Sequence, residues 1–353
     1  MNGKAFFIGV LTAASVAGAP IVAAAAGFND DRNLLISDQF NNRVIEITPF
    51  GQIVWQFGLG PNDVSAKSPI GVNDALRVGF RTLISGTGAP PGTEPKCPQG
   101  CPDNRVMLVS EAKKIVWQYG RFGVTGSGPD ELNTPVQATW TPSHTVFIAD
   151  QGNQRVIEVD LNKNILWQYG TTGVAGHGPN QLNDPTSVEL LDNGHILIAD
   201  ENNDRAIVVN RAKAIVATFT IGGTASGVAF ASRLPNGDTL ITDSNNNRVA
   251  QVDAADHLVW SYVTNTEPAG NPAPLPTRAI RLENGDTVIS DQFNHRVIVV
   301  DRLKNIRRQY GTLNVSGYDT QSARRSLNAP YDAKQIGDNV GLTWSDSLHI
   351  APK

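Results

Sequence analysis

The sequence predicts an all-β protein built from six copies of one four-stranded antiparallel unit. The segment beginning at Leu35, Leu-Ile-Ser-Asp-Gln-Phe-Asn-Asn-Arg-Val-Ile-Glu-Ile, returns almost unchanged from Val288, and looser copies lie between. Such a recurrence is typical of repeat architectures. The apolar runs in each copy are short, alternate with polar residues and are rich in Val, Ile and Thr, which favours strands over helices.

The second and third strands of each unit are marked by an Asp that ends one apolar run and an Arg, five residues later, that opens the next. Five copies keep both residues: Asp38 and Arg43, Asp150 and Arg155, Asp200 and Arg205, Asp243 and Arg248, Asp291 and Arg296. Because nearly every copy has the pair, we expect it to hold the hairpin together rather than to bind metal or substrate. The second copy has Gly86 instead of the Asp, which predicts that Arg105 is freer to contact a ligand or the inserted segment 87–103.

The fourth and first strands complete the unit. The fourth is a run such as Ile53-Val-Trp-Gln-Phe-Gly, and the first is often entered through Leu-Asn-x-Pro, as at Leu132, Leu182 and Leu327. Asn-Gly pairs such as Asn193-Gly194 supply the positive φ that a tight hairpin needs. We expect Trp55, Trp117, Trp167 and Trp260 to pack between units, with carbohydrate stacking as the alternative; Ala217 and Arg308 replace the Trp in copies four and six.

Six such units predict a six-bladed β-propeller, because one twisted four-stranded sheet buries both faces only by packing against neighbouring sheets. A first strand near Leu327 has no blade after it, and the copy at Leu34 has no first strand before it. We therefore expect Tyr331–Gln335 to pair with Leu34–Ser37, which closes the ring without a free edge. The predicted domain is a single propeller at 27–353.

The repeats resemble the NHL-repeat family of six-bladed propellers, through Asp-x-x-Asn-x-Arg-Val at Asp38 and Asn-Gly-x-x-Leu-Ile-x-Asp at Asn193 and Asn236. The resemblance covers nearly the whole chain after residue 26. It implies the propeller fold, while the activities of such propellers range from interaction scaffolds and ligand binders to lyases and lactonases. A weaker likeness to arylsulfotransferase-like propellers depends on Leu-Pro-Asn-Gly-Asp at Leu234 and on the Val-Trp-Gln-Tyr-Gly strands, but no His here matches their chemistry.

The first 26 residues predict a secretory signal peptide. Lys4 precedes an apolar, Ala-rich segment, and the small residues up to Ala26 suit cleavage there; an uncleaved anchor helix is the alternative. We therefore expect a periplasmic or extracellular protein with no membrane span after cleavage. In that compartment Cys97 and Cys101 predict a disulfide within the insertion, since two thiols alone make an incomplete zinc site. The net charge of −4, without a basic stripe, gives a nucleic-acid partner no support.

The long connections predict which face of the ring binds. Inter-blade segments and the insertion 87–103 emerge on one face, which we call the long-loop face, whereas short hairpins emerge on the other. Alignment of the first strands predicts a polar set at the channel mouth on Asn73, Gln137, Ser187, Arg278 and Asp332, with Phe230 in the fifth blade. Arg278 and Asp332 come from adjacent blades, so they either pair with each other or jointly hold a small polar ligand.

No catalytic constellation is evident in the sequence, and no cofactor is predicted. Only His177 and His295 fall in connections of the long-loop face, and they would meet only over the channel, where a divalent metal ion is possible. We expect a binding or assembly scaffold that uses the long-loop face to hold a protein, a glycan or a small polar ligand. The alternative is a metal-assisted lyase or hydrolase with its site at the channel mouth.

Overall fold

The computed structural model describes residues 27–337, and these form six four-stranded antiparallel sheets in one ring. The predicted signal peptide at 1–26 and the end of the predicted domain, 338–353, lie outside the described residues. Blade 1 contains β1 (Leu34–Asp38), β2 (Arg43–Ile47) and β3 (Ile53–Phe57). Blade 2 contains β4 (Val72–Val78), β5 (Arg81–Ala89), β6 (Cys101–Ser110) and β7 (Ile115–Tyr119).

The next four blades repeat this order from an inner to an outer strand. Blade 3 contains β8 (Pro135–Trp140), β9 (Val146–Asp150), β10 (Arg155–Val159) and β11 (Ile165–Tyr169). Blade 4 contains β12 (Pro185–Leu190), β13 (Ile196–Asp200), β14 (Arg205–Val209) and β15 (Ile215–Phe219). Blade 5 contains β16 (Val228–Arg233), β17 (Thr239–Asp243), β18 (Arg248–Val252) and β19 (Leu258–Val263), and blade 6 contains β20 (Arg278–Arg281), β21 (Thr287–Asp291), β22 (Arg296–Val300) and β23 (Ile306–Gly311).

The last strand, β24 (Pro330–Gln335), is the inner strand of blade 1 and closes the ring. It pairs antiparallel with β1, with Leu34 opposite Gln335 and Ser37 opposite Asp332. The predicted closure is therefore confirmed. Within residues 27–337 no helix is long and apolar enough to cross a membrane.

The hydrophobic core is divided into six clusters, one at each interface between neighbouring blades. Ile36 and Val297, for example, join blades 1 and 6, while Phe147 and Ile198 join blades 3 and 4. The four Trp side chains of the outer strands add a hydrogen bond at these interfaces, because each indole Nε1–H donates to a backbone carbonyl in a turn of the next blade. The acceptors are Glu111 for Trp55, Leu161 for Trp117, Arg211 for Trp167 and Arg302 for Trp260.

The repeated Asp and Arg form the structural pairs that the sequence predicts. In each of these five blades a short 3-10 turn links the second and third strands: Gln39–Asn41, Gln151–Asn153, Glu201–Asn203, Ser244–Asn246 and Gln292–Asn294. In blade 1 the Arg43 Nε–H donates to Asp38 Oδ2 at 2.8 Å, and the Asn41 amide donates to the same oxygen. The other carboxylate oxygen accepts from the N–H of Asn328, in the connection that enters the blade, rather than from the turn that the Asp begins.

In blade 2, Arg105 contacts the inserted segment, which is one of the two contacts predicted for it, and this contact supplies the carboxylate that Gly86 lacks. Asp103, the last residue of the insertion, accepts from Arg105 Nε and from the N–H of Ile70. A Cβ at position 86 would lie 2.3 Å from Asp103 Oδ2, so Gly86 makes room for the substitute carboxylate. Arg105 is buried and its guanidinium also donates to the carbonyls of Ala66 and Ser68.

The insertion itself is an extended hairpin. Strands β5 and β6 continue their pairing to Ala89 and Cys101, and the loop between them carries the disulfide between Cys97 and Cys101 that the sequence predicts.

The residue before the repeated Arg of each blade makes a second hydrogen bond between blades. This residue has positive φ, and its side chain accepts a hydrogen bond from a backbone N–H at the entry to the next blade's inner strand. The acceptor and donor residues are Asn42 and Gly71, Asn104 and Thr134, Gln154 and Asp184, Asp204 and Gly227, Asn247 and Leu275, and His295 and Ala329. His295 thus has the same structural role in blade 6 that an asparagine has in blades 1, 2 and 5.

Candidate functional site

In blades 1 to 5 the inner strand carries a β-bulge at the end that faces the long loops, whereas β20 of blade 6 pairs without one. In blade 1, Asp38 pairs with Pro330 and Ser37 with Asp332, so Tyr331 is the extra residue. The same shift makes Asn73 the extra residue of blade 2, Val136 of blade 3, Thr186 of blade 4 and Ala229 of blade 5. A bulge redirects the side chain that it adds, which places these residues at the mouth of the axial channel.

One residue deeper, each blade contributes one side chain to a ring that we call the inner belt. Strand register identifies its members as Asp332, Asp74, Gln137, Ser187, Phe230 and Arg278, in the order of blades 1 to 6. The sequence alignment was wrong in blade 2, since it placed Asn73 in this set. The error is one residue, because blade 2 has Gly86 in place of the Asp that marks the frame in the other blades.

The inner belt binds neighbouring blades together over two thirds of the ring. Asp332, Asp74, Gln137 and Ser187 each accept a hydrogen bond from the backbone N–H one position further along the inner strand of the next blade. Gln137 and Ser187, which the sequence predicts to bind a ligand, therefore already hold the backbone of β12 and β16. Both side chains are buried.

In blades 5 and 6 the inner belt carries Phe230 and Arg278 in place of side chains that accept a backbone hydrogen bond. Arg278 lies over the Phe230 ring, with its Cζ 4.3 Å from the ring centroid, and its NH2 group donates to Asp74 at 3.1 Å. Its Nε lies 3.1 Å from Asp332 Oδ1, and these two atoms form an ion pair without hydrogen-bond geometry. Arg278 and Asp332 do pair with each other, and Arg278 also spans from blade 6 to blade 2.

Lys334 completes a four-charge cluster that we call the axial plug: Arg278, Lys334, Asp74 and Asp332. Lys334 Nζ contacts both carboxylates, with 2.8 Å to Asp74 Oδ1, and donates to the carbonyl of Ala75 at 3.0 Å. All four residues are buried, and their formal charges cancel. Burial raises the pKa of Asp74. The positive charges of Lys334 and Arg278 oppose this rise, and the negative charge of Asp332 adds to it.

Above the plug, toward the long loops, the first residues of the 3-10 turns line the channel. They are Gln39, Gln151, Glu201, Ser244 and Gln292. Gln292 donates to Gln39, and Gln39 donates in turn to Asn73, both at 2.8 Å, so three amides form a chain across blades 6, 1 and 2. Gln151 donates to Glu201 at 3.4 Å. We call this group of polar side chains the axial basin.

The axial basin holds one acidic group with an unusual proton affinity. Burial raises the pKa of Glu201 to about 7, and the carboxylate of Asp184 adds to the rise. The pKa of Tyr331 is also raised, first by burial and then by the charge of Glu201. Tyr331 belongs to blade 1 and Glu201 to blade 4, on opposite sides of the ring, so the two groups face each other across the basin. Neither residue was predicted from the sequence, although Glu201 is the one acid among the residues that follow the repeated Asp.

The two candidate histidines lie in different surroundings. His177 is exposed, and its Nε2 lies 3.3 Å from a guanidinium nitrogen of Arg205. His295 Nδ1 accepts the N–H of Ala329 at 3.0 Å, and burial lowers the pKa of its imidazole. Among residues 27–337 no group of three or more His, Cys, Asp or Glu is arranged to hold a metal ion.

Comparison with known proteins shows a shared fold. No family model matches the chain, and no curated protein matches it by sequence. A solved protein of unknown function from Bacteroides caccae matches with a TM-score of 0.56 at 13% identity, covering 78% of this chain and 92% of that one. A streptogramin B lyase matches with a TM-score of 0.54 at 11% identity, covering 81% of both chains.

A virginiamycin B lyase from Staphylococcus aureus is also similar, with a TM-score of 0.50 at 13% identity, covering 82% of this chain and 87% of that one. At these identities the likeness establishes the propeller fold and leaves activity open. The NHL-repeat resemblance accordingly stays a resemblance.

Proposed function

We propose that this protein is an exported binding module that holds a polar ligand in the axial basin on its long-loop face. One observation carries the proposal: the axial plug closes the channel with four buried charges that cancel one another. A closed channel makes the basin a blind depression with a rigid floor, which is the usual form of a binding site.

The lining of the axial basin supports a glycan as the ligand. Amide and carboxylate side chains such as Gln151 and Glu201 can donate to and accept from hydroxyl groups, and the ring of Tyr331 offers a flat apolar surface. The formal charges of the floor cancel, so nothing there demands a strongly charged ligand. Long inter-blade loops surround the basin and can contact the parts of a larger ligand that project from it.

A glycan array probed with the purified protein tests this proposal. We expect binding to a defined set of oligosaccharides, and weaker binding by Glu201→Gln and Tyr331→Phe, both of which keep the shape of the basin. His257→Ala, in an exposed short hairpin on the opposite face, is the matched control and should bind like the wild type. Absence of binding to every glycan, or binding unaffected by both basin variants, would contradict the proposal.

A second candidate function, a lyase or hydrolase, is favoured by one specific observation. A carboxyl group with a pKa near 7 is suited to take and return a proton at neutral pH, and Glu201 faces a phenol across the basin. The metal-assisted form of this candidate gains no support from His295, whose Nδ1 already accepts a backbone hydrogen bond. Turnover of an ester or lactone that is lost in Glu201→Gln, together with elemental analysis of the natively purified protein, would distinguish the enzyme from the binding module.

Export is part of the proposal and rests on the leader-like segment 1–26 and on the disulfide. Intact-mass analysis of protein from the native organism tests both. We expect a chain that begins near residue 27 and a mass two hydrogens lower before reduction than after it. A full-length chain with two free thiols would refute export.

A further inference from the structure

The outer rim of the ring has one position where the repeat is not filled. Strand register places Trp55, Trp117, Trp167, Trp260, Arg308 and Ala217 at the same site of the fourth strand in the six blades. Four blades thus carry an indole and one carries a guanidinium. Blade 4 carries only the methyl group of Ala217.

A cleft of about 370 Å³ opens at this position, between blades 4 and 5. Ala217, Val208, Val216 and Leu191 form its apolar part, and Arg233 of blade 5 lines it from the other side. Three residues of a blade 4 turn form its polar end: Asp192, Asn193 and His195. Its volume lies within the range of small-molecule sites. Opposite the Trp, the third strand carries Glu46, Glu158 or Gln251 in three blades and Leu108 in blade 2. In blade 4 the residue opposite Ala217 is Val208, so the wall beside the missing indole is apolar.

The cation that faces the cleft also fits an aromatic ring. At the equivalent place in blade 6, Arg281 lies over Trp260 with its Cζ 4.7 Å from the ring centroid; in blade 2, Arg77 lies 5.3 Å from Trp55. Arg233 instead lies 5.2 Å from the ring of Phe219, two residues along the strand from Ala217, and its buried Nε has no hydrogen-bond partner within the described chain. The guanidinium therefore lies at the edge of the space that an indole occupies elsewhere in the ring, with its NH1 group donating to the carbonyl of Gly237.

We propose that the cleft between blades 4 and 5 is a binding site for an indole-class ring, a planar aromatic group with an N–H donor. The ring would lie against Ala217 and Val208, with Arg233 over its face. In the other blades the indole N–H donates to the second residue of the next blade's turn, and that residue is Ala254 in blade 5. The repeat itself thus specifies the chemistry of the occupant.

Titration calorimetry of the full-length protein with indole tests the site. We expect saturable binding of one indole per chain, and at least a tenfold loss of affinity in Ala217→Trp, which fills the cleft with the protein's own indole. Arg233→Gln should weaken binding about two- to fivefold through the lost cation–π contact. Benzofuran, a ring of the same shape without the N–H, should bind about two- to tenfold more weakly than indole.

The chain offers a matched variant that creates the site again. Trp260→Ala empties the equivalent position beside Arg281, so this variant should bind two indoles per chain. Parallel titration with N-acetyl-tryptophanamide identifies the source of the ring: tighter binding than indole supports a tryptophan side chain of a peptide, and weaker binding supports a free small molecule. Wild-type protein without saturable indole binding, or Ala217→Trp binding indole as well as wild type, would overturn the inference. If Ala217→Trp does not fold, unchanged binding by Arg233→Gln overturns it.

Discussion

Replacing Arg278 by Met should destabilise the ring through the axial plug. Arg278 contacts Asp74 and Asp332 at 3.1 Å each, and its removal leaves two buried carboxylates facing Lys334 alone. Breaking a buried ion pair by removing one partner costs about 3–5 kcal/mol. For roughly 310 folded residues, an unfolding entropy of about 2.1 cal/mol/K per residue converts this loss into a fall in melting temperature of about 5–8 °C at pH 7.

The pH dependence of that loss provides the sharper test. Arg278 holds down the pKa of Asp74, which burial and Asp332 raise above 3.8, so the variant should raise it further. Above pH 3.8, folded Arg278→Met protein then keeps a proton on Asp74 that the ordinary aspartate of the unfolded chain has released. Its stability relative to wild type must therefore increase as the pH falls and decrease as the pH rises through the folded-state pKa.

Thermal denaturation followed by circular dichroism at pH 8, 7, 6 and 5 measures this. Arg278→Lys, which keeps a cation, should lose less stability than Arg278→Met at pH 8, and exposed Arg307→Met should match wild type at every pH. A deficit for Arg278→Met that is constant from pH 8 to pH 5, or absent at pH 8, would refute the role of the plug as a charge-balanced floor.

Three further predictions concern places where one blade departs from the others. Burial lowers the pKa of His295 below 6.5, so protonation of its imidazole opposes folding as the pH falls below about 6.5. His295→Asn, which introduces the residue type found at Asn42, should therefore lose less melting temperature than wild type between pH 7 and pH 5. An equal loss in both proteins would show that the His295 imidazole does not cause the pH dependence. Asp103→Asn should lower the free energy of unfolding by about 3–5 kcal/mol in chemical denaturation, because it leaves Arg105 buried without its carboxylate partner. An unchanged free energy of unfolding would show that Arg105 does not need this carboxylate. In blade 1 the N–H of Asn328 donates to Asp38 Oδ1, but in blade 6 the corresponding residue is Pro274, which has no N–H, and Asp291 Oδ1 has no hydrogen-bond partner within the described chain. Pro274→Asn should supply this hydrogen bond and stabilise the fold by about 1 kcal/mol. A lower denaturation midpoint would contradict this.

The fold was predictable because its signals are local. Each signal lies within one repeat. Alternation of apolar and polar residues specifies the strands of a blade, the Asp and Arg five residues apart specify the hairpin, and the extra first strand at Leu327 specifies the closure of the ring. Arg105 shows where local signals fail. Its carboxylate comes from Asp103, two residues before it but displaced from the repeat frame by the insertion, so the frame alone indicates an unpaired cation.

The candidate site was less predictable because it forms across the ring. The position of Asp74 depends on a bulge, and a bulge shifts every later side chain of the strand by one. Lys334 joins the plug from the closing strand, and the charge of Glu201, in the opposite blade, raises the pKa of Tyr331. Contacts between residues more than one hundred positions apart leave no periodic pattern in the sequence. Such contacts follow only from the register of the strands that carry these residues.

In a ring of repeated blades, the shared residues explain stability and the exceptions indicate function. The Asp–Arg pairs and the positive-φ acceptors recur because each blade needs them, and a ligand site built from them would occur in several copies. Glu201 stands where three other blades have glutamine, and Ala217 stands where four have tryptophan. Both exceptions belong to blade 4, one on its inner end and one on its outer strand. Blade 4 is therefore the part of the ring where both proposed ligand sites depart from the repeat.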